Sequence, residues 1–348
     1  MAAKIHTTRD APPFPLKKKT LAVIGFGSQG HAHALNLKDC GLKVIIGLHP
    51  QSKSRVVARQ LGFEVMDTSA AVKAADVIFV AVPDAVIPAV YQNDIAPKLT
   101  KGKTLLFAHG FAVHYKLVRP PKNVDVILVA PRGPGHAVRS LFVAGMGVPC
   151  LIAVQQDVSG RATATALAWA GAIGCARAGI YQTSFREETM TGLFGTQCVT
   201  CGGISALVKA GFDTLVEAGY SPVAAYYGCL HELKLMADLM NEQGFAGMRF
   251  SISETAEYGA LTVGPKIIDS AVRKHLAEQL KLIESGKFAK EWLREEKTGG
   301  KNLKSLRKAE SDHPLEKTGA KLRTTMSWIK QGRIPKGTCQ ASYQFNLR

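Results

Sequence analysis

A chain of 348 residues with 46% hydrophobic and 20% charged side chains is ordinary globular material, long enough for two domains that each bury a core. Its net charge is +17, and residues 266–348 hold 19 Lys and Arg against 9 Asp and Glu; the excess suits anionic small molecules, and without a nucleic-acid module nucleic acid is not an expected partner. Residues 1–19 lack the apolar centre of a secretory leader, no continuous apolar run has the length of a membrane span, and the seven cysteines (Cys40, Cys150, Cys175, Cys198, Cys201, Cys229, Cys339) read as buried thiols of a cytoplasmic protein.

In chain order, residues 1–19 read as an extended polar arm. Thr20 to Gly25 is a short apolar run that ends in glycine, the pattern of a buried parallel strand. Ser28 to Asp39 has helical spacing, Leu42 to Gly47 is a second strand, and Ser54 to Gly62 is helical. Phe63 to Met66 is short and extended, Ala70 to Ala75 is helical, and Val77 to Val82, Thr104 to Ala108 and Val124 to Ala130 are three further strands. Strands alternating with helices predict an α/β Rossmann domain with a doubly wound parallel sheet. From Ser184 onward helical periodicity takes over, in Thr189 to Ala218, Ser221 to Glu242, Lys266 to Gly286 and Lys287 to Glu296. The expected organisation is a Rossmann domain over 1–182, an all-α domain over 183–330 and a tail over 331–348.

The first strand and helix enclose Gly25-Phe26-Gly27-Ser28-Gln29-Gly30. Glycines at this spacing permit a tight turn, a close approach of backbone to pyrophosphate and a helix–strand contact, with the pyrophosphate on the helix N-terminus. All six residues are expected cofactor contacts. The second strand ends in Gly47-Leu48-His49-Pro50-Gln51-Ser52-Lys53-Ser54-Arg55, without the carboxylate that would accept from a ribose 2′-hydroxyl. Its hydroxyls and cationic groups suit a 2′-phosphate, so His49, Ser52 and Ser54 are expected to favour NADPH. Pro83 and Asp84, His109, and the run Pro131 to His136 with Gly135 in it follow later strands at the edge where such sheets bind ligands. His109 is expected in the active site and Gly135 against the cofactor. Cys198 and Cys201 form a Cys-x-x-Cys without a second pair, so zinc is not expected.

The run Ile24 to Leu37, together with Phe107-Ala108-His109-Gly110-Phe111, Cys229-Leu230-His231-Glu232-Leu233-Lys234-Leu235, Ser251-Ile252-Ser253 and His313-Pro314-Leu315, resembles the short, class I ketol-acid reductoisomerases over residues 20–330. The resemblance implies NADPH, a knotted helical domain and a homodimer or larger homo-oligomer. It also implies a small acetohydroxy-acid substrate and two Mg²⁺ ions on four helix-borne carboxylates. This chain departs from that pattern. Gly192, Thr196 and Gly228 stand where three of those carboxylates belong, Glu232 keeps the fourth, and Arg132 stands where the family has lysine. One carboxylate cannot hold two hard ions, so magnesium is not expected. The departures lead to the expectation of a metal-independent NADPH reductase that passes hydride to an imine or carbonyl in a specialised biosynthetic pathway. Glu232, His109, Arg132, Tyr227 and Ser253 are the expected catalytic residues, with Glu232 a general acid whose pKa burial would raise. A ketol-acid reductoisomerase of branched-chain amino acid biosynthesis and a non-catalytic NADPH-binding protein are the alternatives.

Overall fold

The computed structural model describes residues 4–326, which form two compact units that divide after Thr189. The first unit is built on a nine-stranded sheet in the order β1-β9-β8-β7-β6-β5-β2-β3-β4. Its strands are β1 (Ile5–His6), β2 (Thr20–Ile24), β3 (Lys43–Gly47), β4 (Glu64–Met66), β5 (Val77–Val80), β6 (Thr104–Phe107), β7 (Asp125–Pro131), β8 (Cys150–Gln156) and β9 (Ile180–Gln182). The predicted doubly wound parallel sheet is present from β7 to β4, where every neighbouring pair is parallel. Aliphatic runs place these strands there: β5 and β6 are buried along their whole length, as strands covered on both faces must be.

The sheet extends further than the sequence pattern indicated. β8 pairs antiparallel with β7 and parallel with β9, and β1, from the arm read as merely extended, pairs antiparallel with β9. The chain leaves the sheet centre through β2, β3 and β4, then returns to β5 on the other side of β2. That reversal opens a crevice at the carboxyl ends of β2 and β5. One face of the sheet packs Leu21, Val23, Phe79 and Trp169, the other Ile24, Ile78, Leu105 and Phe107.

The second unit is helical. The long stretch predicted from Thr189 resolves into an α-helix Phe185–Phe194, a π-helical segment Gly195–Thr200 and a helix Gly202–Glu217. A second π-helical segment, Tyr227–His231, precedes the helix Glu232–Phe250. Val208, Phe212, Ala225, Tyr226 and Leu315 form its buried core. The expectation about membrane-length apolar runs is corrected: within the helical residues Phe185–Glu217, an 18-residue window with a mean hydropathy of 1.3 is apolar enough, by length and composition only, to cross a membrane. Glycines and threonines interrupt the run, so counting consecutive apolar residues misses it. The cysteine expectation is corrected in part, because Cys150 and Cys175 are buried but Cys40 and Cys201 are exposed. Cys339 and the tail lie outside the described residues.

Candidate active site

The crevice holds a cavity of about 840 Å³ lined by the glycine-rich turn, the loop after β3, the ends of β5 and β6, and His109. Gly25 has φ +97°, and a Cβ there would lie 2.7 Å from the Ala81 carbonyl oxygen. A Cβ on Gly30 would lie 2.4 Å from the Gly25 carbonyl oxygen, so only glycine lets the helix Ser28–Asp39 start beneath the turn. At Gly27 a Cβ would meet open space, which leaves room for a ligand to approach the backbone. These residues, with the helix N-terminus that follows them, fit a dinucleotide pyrophosphate.

His49, Ser52, Ser54, Pro83 and Asp84 line the same cavity, as predicted from the ends of their strands. Arg55, one of the cationic groups of this loop, is already paired. Its guanidinium donates to the Leu48 carbonyl oxygen and to Asp67 Oδ1, both at 2.9 Å. Asp67, which also lines the cavity, was missed; it follows β4 directly, and the rule applied to the other strand ends would have found it. Gly135 packs on the cofactor turn, where a Cβ on it would be 2.0 Å from the Ser28 carbonyl oxygen. Its missing side chain permits that close backbone approach.

At the cavity's edge, Glu188 is buried with 3% of its side chain exposed. Its Oε2 accepts from His109 Nδ1 at 2.9 Å and from the Gly110 N–H at 2.7 Å, while Oε1 lies 3.8 Å from the Arg132 guanidinium. Burial pulls the His109 pKa down, but the hydrogen bond to Glu188 and the charges of Glu188 and Asp84 outweigh it, so the net shift is upward. Burial, foremost, pushes the Asp84 carboxyl up; the charge of His109 opposes this and that of Glu188 adds to it. No local pattern marks Glu188, because its partners lie 79 and 78 residues away in the chain.

The remaining expected catalytic residues belong to the helical unit. Glu232 is exposed, so the burial on which its role as an acid rested is absent. Tyr227 is half-buried, with its ring edge-on to Tyr226 and His231. Ser253 is exposed and caps the helix Glu254–Ile267, its hydroxyl accepting from the Ala256 N–H at 3.2 Å.

Residues 15–179 match the family model for the acetohydroxy acid isomeroreductase NADPH-binding domain, and residues 185–328 match that for the ketol-acid reductoisomerase C-terminal domain. The chain belongs to the ketol-acid reductoisomerase family. A ketol-acid reductoisomerase (NADP(+)) of Chloroherpeton thalassium is 53% identical over 326 residues, covering 94% of this chain and 96% of the relative. One of Petrotoga mobilis is 53% identical over 322 residues, covering 92% and 98%. Among solved structures, an NADH-preferring ketol-acid reductoisomerase from an uncultured archean superposes with a TM-score of 0.90 at 44% identity, covering 92% of this chain and 98% of that one. A 1-pyrroline-5-carboxylate reductase of Streptococcus pyogenes gives a TM-score of 0.52 at 15% identity, covering 77% and 98%, which is a likeness of fold alone.

These kinships correct the expectation of a specialised, metal-independent imine or carbonyl reductase. Relatives at 53% identity, matched over 96% and 98% of their own length, carry the reductoisomerase name. Loss of carboxylates at three positions identifies a changed site, not a new acceptor. Two Mg²⁺ ions nevertheless do not fit the residues at the family's four ligand positions. Gly192, Thr196 and Gly228 offer no carboxylate, and both oxygens of Glu188 already face cations or an N–H group. Among the described residues no group of three or more His, Cys, Asp or Glu could hold a metal ion.

Proposed function

We propose that the chain is an NADPH-dependent ketol-acid reductoisomerase of branched-chain amino acid biosynthesis, with NADPH bound across the carboxyl ends of β2, β3 and β5. The observation that carries this reading is 53% identity to reductoisomerases over almost the whole chain, joined to an intact dinucleotide crevice. The hydride step adds two electrons to a carbonyl carbon and leaves an oxygen that needs a proton. His109 is suited to supply it: Nδ1 is committed to the Glu188 carboxylate, which leaves Nε2 as the ring nitrogen that can donate. The upward shift of His109 favours the doubly protonated ring in which both nitrogens carry hydrogen.

The reading includes a homodimer. Phe250, Tyr258 and Phe245 are 92%, 73% and 68% exposed in the single chain, an apolar surface that a second copy would cover. The deciding experiment follows NADPH oxidation with 2-acetolactate across a Mg²⁺ series, with the dihydroxy-acid product identified by mass spectrometry. Product formation supports the assignment, and failure at every Mg²⁺ concentration rejects it.

A further inference from the structure

We propose that Arg132 is the anchor for the substrate's carboxylate, which it takes as a forked pair beside His109. The inference rests on the ketol-acid reading of the site and adds the residue that orients the acid.

Arg132 stands immediately after β7 (Asp125–Pro131). Its backbone N–H donates to the Pro149 carbonyl oxygen at 2.7 Å, and the carbonyl oxygen of the next residue, Gly133, accepts from Gln29 Nε2 at 2.9 Å. The base of the side chain is therefore fixed, and through Gln29 it is tied to the cofactor turn. The side chain itself remains 42% exposed. The Arg132 guanidinium lies 3.8 Å from Glu188 Oε1, close enough for attraction and too far for a hydrogen bond. A planar guanidinium with paired donors fits a carboxylate better than any other side chain does.

Charge balance favours the same occupant. Glu188 is one carboxylate facing two cationic groups, His109 and Arg132. Asp84, the further carboxylate acting on His109, is pushed towards its neutral form by burial. The Arg132 guanidinium, 42% exposed and 3.8 Å from Glu188, keeps donors open to an incoming carboxylate. An acid bound at Arg132 sits one side chain from His109, which lines the cofactor cavity. The occupant is thus the carboxylate end of the proposed ketol-acid substrate, with its carbonyl carbon towards the cofactor cavity.

The test uses the full chain as its NADP⁺ complex. Binding of 2-oxoisovalerate and of its methyl ester is measured by calorimetry for the wild type, Arg132→Lys and Arg132→Met. The expected result is binding of the acid and not of the ester by the wild type. Losing a charge-assisted pair should weaken acid binding by about tenfold or more in Arg132→Met, with a smaller loss in Arg132→Lys, which keeps the charge without the fork. NADPH affinity should be unchanged in both variants, which also shows that they fold. Equal binding of acid and ester, wild-type acid binding by Arg132→Met, or no acid binding by the wild type would each overturn the proposal. Because this readout needs no turnover, it separates failure of the anchor from failure of the reductoisomerase assignment. In an active enzyme the same loss should appear in KM for the acid, and added guanidinium should partly restore Arg132→Ala.

Discussion

The two units differ in how they satisfy the same physical demands. The sheet unit buries large side chains on both faces of its strands, Phe79 and Trp169 on one and Phe107 and Ile78 on the other. The helical unit has five buried hydrophobic residues in its core and leaves Phe250, Tyr258 and Phe245 in solvent. They also differ in chemistry: the sheet unit keeps the complete dinucleotide turn, whereas three of the helical unit's four family ligand positions hold glycine or threonine. A domain with its own core and a full set of ligand groups can be read from one copy of the chain. Unmatched apolar faces are what the proposed dimer would cover.

The sharpest way to break this comparison is Gly30→Val. Its Cβ would lie 2.4 Å from the Gly25 carbonyl oxygen, backbone that cannot move away cheaply. NADPH binding, followed by fluorescence, should be lost, and retained binding would show that the crevice is less tightly determined than its geometry implies. Next in size is the double substitution Phe250→Asp with Tyr258→Asp. It should convert a dimer into a monomer by light scattering at micromolar concentration, with NADPH binding intact, because carboxylates cannot be desolvated in an apolar contact. A wild-type monomer would remove the partner from the account.

Glu188→Gln is expected to act within the sheet unit. Breaking a buried charged hydrogen bond to His109 and the Gly110 N–H should cost about 2 kcal/mol of stability. The sign of the pH dependence follows from the upward shift of His109. The pair stabilises the fold fully below the ordinary His pKa, and that contribution is lost as pH rises through the higher folded value. In Glu188→Gln the His109 titration, read by NMR of the ring, should move to lower pH, with the alkaline limb of activity following it; an unmoved titration would detach His109 from Glu188. The smallest effect belongs to Ser52→Asp. A carboxylate on the cavity lining should repel a 2′-phosphate by roughly 1.4 kcal/mol and weaken NADPH about tenfold relative to NADH. An unchanged ratio of the two affinities would place the 2′-phosphate elsewhere.

Much of the sheet was legible because its strands are short aliphatic runs bounded by glycine, and a glycine turn at fixed spacing reports its own geometry. Less of the active site was legible. Glu188 carries no local mark of its role, Gly135 none of its backbone contact, and Glu232 was expected to be a buried acid. Each depended on neighbours that no local pattern records: His109 and Gly110 for the first, the Ser28 carbonyl for the second, and solvent for the third.

The sequence by itself determined the order of the strands from β2 to β7, the helices before β5, the change to helix after Ser184 and the dinucleotide turn. All of these are properties of residues close together in the chain. Only the tertiary structure decided that the N-terminal arm and β8 and β9 extend the sheet, that Arg55 turns to Asp67, and that Glu188 joins His109, Gly110 and Arg132. Periodicity reports which face of an element is apolar, whereas strand partners and ion pairs far apart in sequence are chosen by how those faces pack together.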